Sequence, residues 1–172
     1  MPLIKNGAPV DDAWTVAETE DDLGQTGPLI VTLELWQAHR DRLLGRNDAL
    51  GVRLASHEAP DLIADDLHRF ALAALEFPKF ADGRAYSHAR LLRERYGFAG
   101  ELRAVGNVLR DQLSFMVRCG FDSFQVADDR PLDGWEAALS EIDVVYQPAT
   151  DRRAPVTAAR AERATVAANW AY

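Results

Sequence analysis

The sequence predicts an α/β fold, either a mostly parallel sheet or a partial TIM-like barrel, made of about five βα-type repeats and preceded by an N-terminal β-hairpin. Short β-type runs alternate with amphipathic helices from residue 51 onward, and consecutive strands start about 20 to 30 residues apart with one helix between them. Such spacing favours parallel strands joined by right-handed crossovers. The hairpin is predicted by Asn6-Gly7, a turn dipeptide with an apolar pair on each side.

Residues 1–50 are predicted to form the hairpin and one helix. Pro9 has no amide hydrogen to donate, so its strand is confined to a sheet edge. The acidic run Glu18–Asp22 is typical of a solvated loop, and Leu29–Thr32 of a short strand. Apolar residues at near-helical spacing predict a helix over Leu33–Leu44.

Residues 51–147 are predicted to form the βα core. Its candidate strands are Val52–Leu54, Leu72–Phe77, Leu102–Val105, Ser123–Val126 and Val144–Tyr146. Its helices are indicated by Pro60 at a first turn, by Tyr86–Tyr96, by Val108–Cys119 and by the capping-box spacing that starts at Asp133. Five repeats are too few to close the eight-stranded TIM barrel. The sequence is therefore compatible with an open twisted sheet. It is also compatible with a partial barrel that is completed by the N-terminal part or by a second copy.

Residues 148–172 are predicted to be a C-terminal tail of the same single domain. Pro155 can open a helix that docks through Trp170, and a frayed terminus is the alternative. The length of 172 residues and the 48% apolar content fit one domain with its own core. Exposed edges of an incomplete sheet favour a homodimer.

Composition excludes several classes of function. The net charge of −8 disfavours binding to nucleic acid or to an anionic membrane. A lone cysteine, Cys119, cannot form an internal disulfide, and no signal peptide or long apolar span is visible, so a cytoplasmic protein is expected.

A candidate site is predicted where the loops follow the second and third core strands, because ligands of parallel α/β folds bind at the carboxyl ends of strands. The anion-binding candidates are Lys79, Arg84, Ser87, Asn107 and Arg110. The catalytic candidates are Lys79, Asp82, Arg84 and Asp111. Residues 79–118 carry eight basic and four acidic side chains in an otherwise acidic chain, which suits a small oxyanion such as phosphate or sulfate.

Each of these candidates also has a purely structural interpretation. The basic segment suits an acidic protein partner as well as an oxyanion, and Arg90, Arg93 and Arg95 fit ordinary surface arginines. Asp82-Gly83 fits a turn and Ser87 a helix cap. Arg103, inside a strand, would need a partner such as Asp111 or Asp82 if it is buried.

No metal or cofactor is predicted. Asp61, Asp65 and His68 have metal-ligand spacing, but a solvated acidic face explains them better. The sequence has no Gly-rich phosphate loop, Gly-x-Gly-x-x-Gly, Gly-x-Ser-x-Gly or cluster-binding cysteine set. A redox role would need a cofactor without a sequence signature, such as a flavin. Cys119 precedes a glycine at a predicted helix end, which is typical of a buried structural thiol and not of a nucleophile.

Three segments resemble the bacterial DUF934 family, namely Leu75–Ser87, Gly100–Gln112 and Arg118–Asp122. The resemblance implies an uncharacterised accessory protein or enzyme of assimilatory sulfate or sulfite reduction in cysteine biosynthesis, such as an oxidoreductase. The implied partners are sulfite reductase or adenylylsulfate reductase. The position of Asn107 is commonly Asp in that family. The alternatives are a non-catalytic adaptor that docks a sulfite-reducing enzyme and a βα enzyme acting on a small phosphorylated metabolite.

Overall fold

The computed structural model describes residues 2–5, 8–126, 138, 145–151, 153–158, 160 and 161. Within these residues eight strands form one sheet in the order β2-β1-β8-β7-β6-β5-β4-β3. The strands are β1 (Leu3–Lys5), β2 (Ala8–Val10), β3 (Thr15–Ala17), β4 (Leu29–Thr32), β5 (Leu50–Leu54), β6 (Phe70–Phe77), β7 (Glu101–Gly106) and β8 (Ser123–Gln125).

Most of the sheet is parallel, as predicted. Strands β3 to β8 run parallel to their neighbours, whereas β1 pairs antiparallel with both β2 and β8. The predicted mixed α/β class and N-terminal hairpin are confirmed, and Pro9 lies on the edge strand β2. Four predicted core strands coincide with β5 to β8 to within a few residues at each end.

The first 50 residues contribute more of the sheet than the sequence indicated. Strand β4 continues the parallel pairing beyond β5, and β3 was not predicted at all. Thr15–Ala17 is only three residues long and exposes Val16, so neither its length nor its polarity pattern stands out in the sequence. The N-terminal segment therefore supplies half of the strands seen in the described residues.

The connection between the two edge strands requires the sheet to curl. A flat sheet of eight strands is about 34 Å wide from first to last strand, at about 4.8 Å per spacing. Edge strands β2 and β3 are joined only through residues 11–14, a connection that reaches at most about 18 Å when fully extended. The sheet accordingly curls into a half-barrel with an inner and an outer face.

Helices and 3-10 turns cover the outer face. The α-helices are α1 (Leu33–Leu44), α2 (Arg84–Arg90) and α3 (Leu113–Cys119), and α2 continues into a π-helical turn at Leu91–Arg95. Pro60–Arg69 is a 3-10 helix, as are the shorter Glu20–Gly24 and Arg110–Gln112. Alternate strand residues such as Val52, Leu75 and Leu102 point outward into the main core formed with these helices.

The inner face has a smaller apolar cluster and a buried ion network. Ile30, Leu72, Ala74 and Val105 pack against Trp14, which comes from the connection between β2 and β3. This cluster fills part of the half-barrel interior.

Arg103 forms the centre of the ion network, and the predicted partners Asp82 and Asp111 are wrong. Its side chain is 2% exposed and pairs with Asp12 at 2.7 Å and with Glu101 at 2.8 Å. Glu101 also accepts hydrogen bonds from Lys5 and Ser123. Because residues alternate along β7, Arg103 and Glu101 point to the same inner face, whereas Asp82 and Asp111 lie in the loops that follow β6 and β7.

Arg93 differs from the surface role that the sequence favoured. It donates to the carbonyls of Phe98, Gly100 and Gly120 and to the carboxylate of Asp122. Arg90 and Arg95 are exposed, and Arg90 pairs with Glu94. Arg93 thus ties the π-helical turn after α2 to the residues just before β7 and β8.

The last predicted elements fall largely outside the described residues. The helix predicted near Asp133 and the docking residue Trp170 lie outside them, as does Val144 of the fifth predicted strand. Val145 forms an isolated parallel bridge with Pro155. None of the helices in the described part of the chain is long and apolar enough to cross a membrane.

Candidate functional site

The parallel strands end along one edge of the half-barrel, which we call the C-terminal rim: the carboxyl ends of β3 to β8 and the loops that follow them. The ends of β6 and β7 are held closely together there. The amide of Asn107 donates to the carbonyl of Phe77 at 2.7 Å, and Gly106 has a left-handed φ of 91°. The two loops that carry the predicted site residues therefore begin side by side.

A polar cluster on the rim joins Ser56, Asp82 and Arg84, which we call the rim cluster. Arg84 donates from Nε to Asp82 at 3.0 Å and from Nη2 to the other Asp82 oxygen at 2.7 Å. Ser56 Oγ donates to Asp82 at 2.8 Å and accepts from Arg84 Nη2 at 2.9 Å. The loops after β5 and β6 thus hold one guanidinium in a fixed orientation.

The electrostatics of the rim cluster indicate that Asp82 orients Arg84 and does not transfer protons. Hydrogen bonds from Arg84 and Ser56 hold the pKa of Asp82 far below its usual range, and Asp82 raises the pKa of Arg84. Asp82 is consequently ionised at any physiological pH. Its role in this geometry is to position Arg84, so it is a weak candidate for a general acid or base.

The remaining predicted residues surround the cluster without forming one compact site. Lys79 is exposed in the turn before Asp82, where its carbonyl accepts from the Asp82 amide at 3.0 Å. Asn107, Arg110 and Asp111 are exposed on the neighbouring loop after β7. The pKa of Tyr86 is raised to about 12, mainly by burial and then by Cys119 and Asp111. Asp111 is therefore close enough to Tyr86 to act on it electrostatically.

Ser87 is not a helix cap. It lies exposed within α2, and the residue that precedes the helix is Gly83, which has no side chain to cap it. Two functional candidates, Ser56 in the cluster and His88 close to it, are not predicted from the sequence. Ser56 follows β5 and could have been found by the same strand-end rule. His88 is one helical turn after Arg84, and its pKa is lowered by burial and then by the Arg84 charge.

The positive charge of residues 79–118 is largely matched by carboxylates in the folded chain. At least five of its eight basic side chains form ion pairs: Arg84, Arg90, Arg93, Arg103 and Arg118. Three of their partners, Asp12, Asp122 and Asp151, lie outside the segment in sequence. The net charge of a sequence segment therefore overstates the positive potential of the rim.

A pocket of about 490 Å³ opens on the rim where four neighbouring strands end, and we call it the inner pocket. Its lining includes Glu18 directly after β3, Thr32 at the end of β4, Arg53 and Ala55 at the end of β5, and Glu76 near the end of β6. Helix α1 and the loop after β5 add Glu34, Leu35, Ala38, His39 and Glu58. This pocket is not predicted from the sequence, because the acidic run that contains Glu18 is typical of a solvated loop and no local pattern places β3 and β4 in the parallel sheet.

Cys119 is buried at the end of α3, as predicted.

Within the described part of the chain, no group of three or more His, Cys, Asp or Glu side chains is arranged to hold a metal ion. Asp61, Asp65 and His68 lie in the 3-10 helix Pro60–Arg69, where His68 Nδ1 contacts the Asp65 carbonyl.

Cys119 should not react with a thiol reagent while the protein is folded. Burial raises the pKa of its thiol to about 11, and the residue is only 3% exposed, so little thiolate is present or accessible at pH 8. Mixing the native protein with a chromogenic disulfide reagent should release no colour until denaturant is added. Rapid reaction in native buffer would contradict the buried structural role.

Comparison with known proteins gives one family. The model of a bacterial protein of unknown function, DUF934, matches residues 51–157, which is more than half of the chain. No curated protein and no solved structure matches the chain. The matched range contains all of β5 except Leu50, strands β6 to β8 and the whole rim cluster.

Proposed function

The chain belongs to the DUF934 family of bacterial proteins, and from that premise we propose that it is an anion-binding accessory protein or enzyme of assimilatory sulfate or sulfite reduction. The rim cluster supports the anion-binding part. Asp82 and Ser56 engage three of the five N–H donors of the Arg84 guanidinium, and the side chain is 56% exposed. An oriented, accessible arginine, with Lys79 exposed in the same loop, suits a small oxyanion. The sulfur part is our proposal and rests only on the expectation attached to the family resemblance in the sequence.

Replacing Arg84 with methionine should weaken oxyanion binding about tenfold while leaving the fold intact. Methionine keeps much of the length of the stem but removes the charged hydrogen bonds. Calorimetric titration with sulfite, sulfate and phosphate measures the affinity, and a melting curve checks the fold. Arg95→Met is the matched control, because Arg95 is exposed and stacks over Tyr96 away from the cluster. Equal affinity in both variants would contradict the site.

A growth assay tests the sulfur link separately. A strain lacking the gene should grow on sulfide but not on sulfate or sulfite as its sulfur source. Wild-type protein should restore growth and the Arg84→Met variant should restore it less well. Normal growth of the deleted strain on all three sources, with no second copy present, would remove the link.

A non-catalytic adaptor is the second candidate, favoured by exposed aromatic side chains near the basic residues. Phe80 is 61% exposed and Phe115 is 54% exposed, and Phe115 stacks on Tyr86. Aromatic and arginine side chains are enriched at protein interfaces. If sulfite reductase or adenylylsulfate reductase is the partner, deletion of residues 151–172 should abolish co-purification. A βα enzyme acting on a small phosphorylated metabolite would instead prefer phosphate in the titration.

Our proposal also includes the type of barrel and the number of its βα-type repeats. We infer a partial TIM-like barrel of about five βα-type repeats in the cytoplasm, in which catalytic candidates Lys79, Asp82, Arg84 and Asp111 share the rim. Support comes from the parallel order of β3 to β8 and from the curl that the edge connection requires. The edge strands β2 and β3, each with an exposed valine, support a homodimer.

A further inference from the structure

The inner pocket has the location of a ligand site in parallel α/β proteins. Its floor is built from the ends of β3, β4, β5 and β6, which are consecutive parallel neighbours in the sheet. The crevice beyond the carboxyl ends of such strands is where these folds bind their ligands. At about 490 Å³ the pocket is within the size range of small-molecule sites.

The walls of the inner pocket are fixed by local hydrogen bonds. Glu58 accepts from the amide of Ala55 at 2.7 Å, which holds this carboxylate against the end of β5. Thr32 caps α1 by accepting from the amide of Leu35 at 3.2 Å. Leu35 and Ala38 of that helix give the pocket an apolar side. The lining is thus largely set before any ligand arrives, which lowers the entropic cost of binding.

The inner pocket is rich in carboxylates, whereas the rim cluster pairs one carboxylate with one guanidinium and has no net charge. Four carboxylates line it, from Glu18, Glu34, Glu58 and Glu76, against the single guanidinium of Arg53. Arg53 lies between Glu18 at 3.4 Å and Glu76 at 3.3 Å, so one cation is shared by two anions. The excess of negative charge disfavours an oxyanion here and favours a positively charged ligand.

The arrangement also limits which cation fits. The carboxylates come from four different elements around a cavity, and no set of three or more metal-ligating side chains occurs among the described residues. A divalent ion prefers several oxygens gathered within coordination distance. An organic cation instead spreads its donors over several carboxylates and lays its carbon chain against an apolar wall.

We propose that the inner pocket binds a small organic cation that carries one or two primary ammonium groups. Each ammonium group has three N–H donors for the carboxylates, and the methylene groups between two of them pack against Leu35 and Ala38. This site is separate from the oxyanion contact at Arg84, and its binding of a cation does not require that contact. The two adjoin, because Ala55 of the pocket precedes Ser56 of the rim cluster in the chain.

The test is a calorimetric titration of the full-length protein with 1,4-diaminobutane, using 1,4-butanediol as an uncharged probe of the same length. The diamine should bind and the diol should not. The variants Glu76→Gln and Glu34→Gln should each weaken diamine binding about tenfold, because each removes one charged partner. Glu94→Gln is the matched control, since Glu94 pairs with Arg90 on α2 and lies outside the pocket lining.

Glu34→Gln keeps the test decisive if Glu76→Gln fails to fold, since Glu34 is exposed in the first turn of α1. Equal binding of diamine and diol, an equal loss in Glu94→Gln, or displacement of the diamine by stoichiometric magnesium would each overturn the proposal. Sulfite titration of the same samples separates it from the proposed function. Diamine binding without sulfite binding supports the inner pocket and contradicts the anion site.

Discussion

Replacing Gly106 with alanine is expected to destabilise the protein by about 3 kcal/mol or more. Gly106 has a φ of 91°, which side chains with a Cβ rarely adopt. A Cβ at this position would also lie 2.6 Å from the carbonyl oxygen of Phe77. That oxygen accepts from Asn107 at the end of the paired strands β6 and β7, so relief of the clash must separate the rim loops.

Urea denaturation of Gly106→Ala and Gly27→Ala separates the strain of a positive φ from the clash with the Phe77 carbonyl. Gly27 has the same φ of 91° but nothing within 4 Å of an added Cβ. Its replacement should cost only the conformational strain, about 1 to 2 kcal/mol. If both variants lose the same stability, close strand approach at Gly106 is not important to the fold.

Arg103→Met is expected to destabilise the protein by about 3 to 5 kcal/mol, the usual cost of removing one partner from a buried ion pair. Arg103 is nearly inaccessible and pairs with Asp12 and Glu101. Without it, Glu101 keeps only Lys5 and Ser123, and Asp12 loses its contact with the sheet. The connection between the two edge strands then loses its ion pair with the inner face and keeps the packing of Trp14.

Two comparisons test this explanation. Adding Glu101→Gln to Arg103→Met should recover part of the lost stability, because the carboxylate without its main partner is gone. Arg95→Met, at an exposed arginine, should behave like the wild type. Unchanged stability of Arg103→Met itself would contradict a structural role for the network.

The network also predicts a pH dependence. Burial alone would raise the pKa of Glu101, but hydrogen bonds from Lys5, Ser123 and Arg103 outweigh it and lower the pKa below its usual value of 4.5. A carboxyl with a lowered folded-state pKa stabilises the fold above that value and loses this contribution as the pH falls through the folded pKa. Acid unfolding curves of the wild type should therefore be steeper below pH 4.5 than those of the Glu101→Gln variant.

The regular part of the fold could be predicted because its signals are local. Helix α1 has apolar residues at near-helical spacing, strands β5 to β8 contain short apolar runs, and the Asn6-Gly7 dipeptide marks the hairpin. Strand β3 has three residues and no such pattern. Strand β3 is in the sheet because it pairs with β4. This pairing is a tertiary contact, and the periodicity of the sequence does not predict it.

The candidate site was predictable only where its residues are close in sequence. Asp82 and Arg84 are two residues apart, and both were singled out. Arg103 pairs with Asp12 across 91 positions, so its partner could not be read from neighbouring residues. The inner pocket combines Glu18, Arg53 and Glu76 from three strand ends. Knowing that β3 to β6 are adjacent is necessary before those residues can be grouped.

The N-terminal hairpin joins the rest of the sheet only after β8 (Ser123–Gln125) has been synthesised. Ile4 of β1 pairs with Phe124 of β8, 120 positions later. At ribosomal rates of about 5 to 20 residues per second, roughly 6 to 24 s pass between the two emerging from the ribosome. During that interval the nascent hairpin has no strand to pair with beyond itself. The growing chain thus exposes unpaired β-edges until β8 appears, and slow translation past residue 100 lengthens the time available for chaperone binding or aggregation.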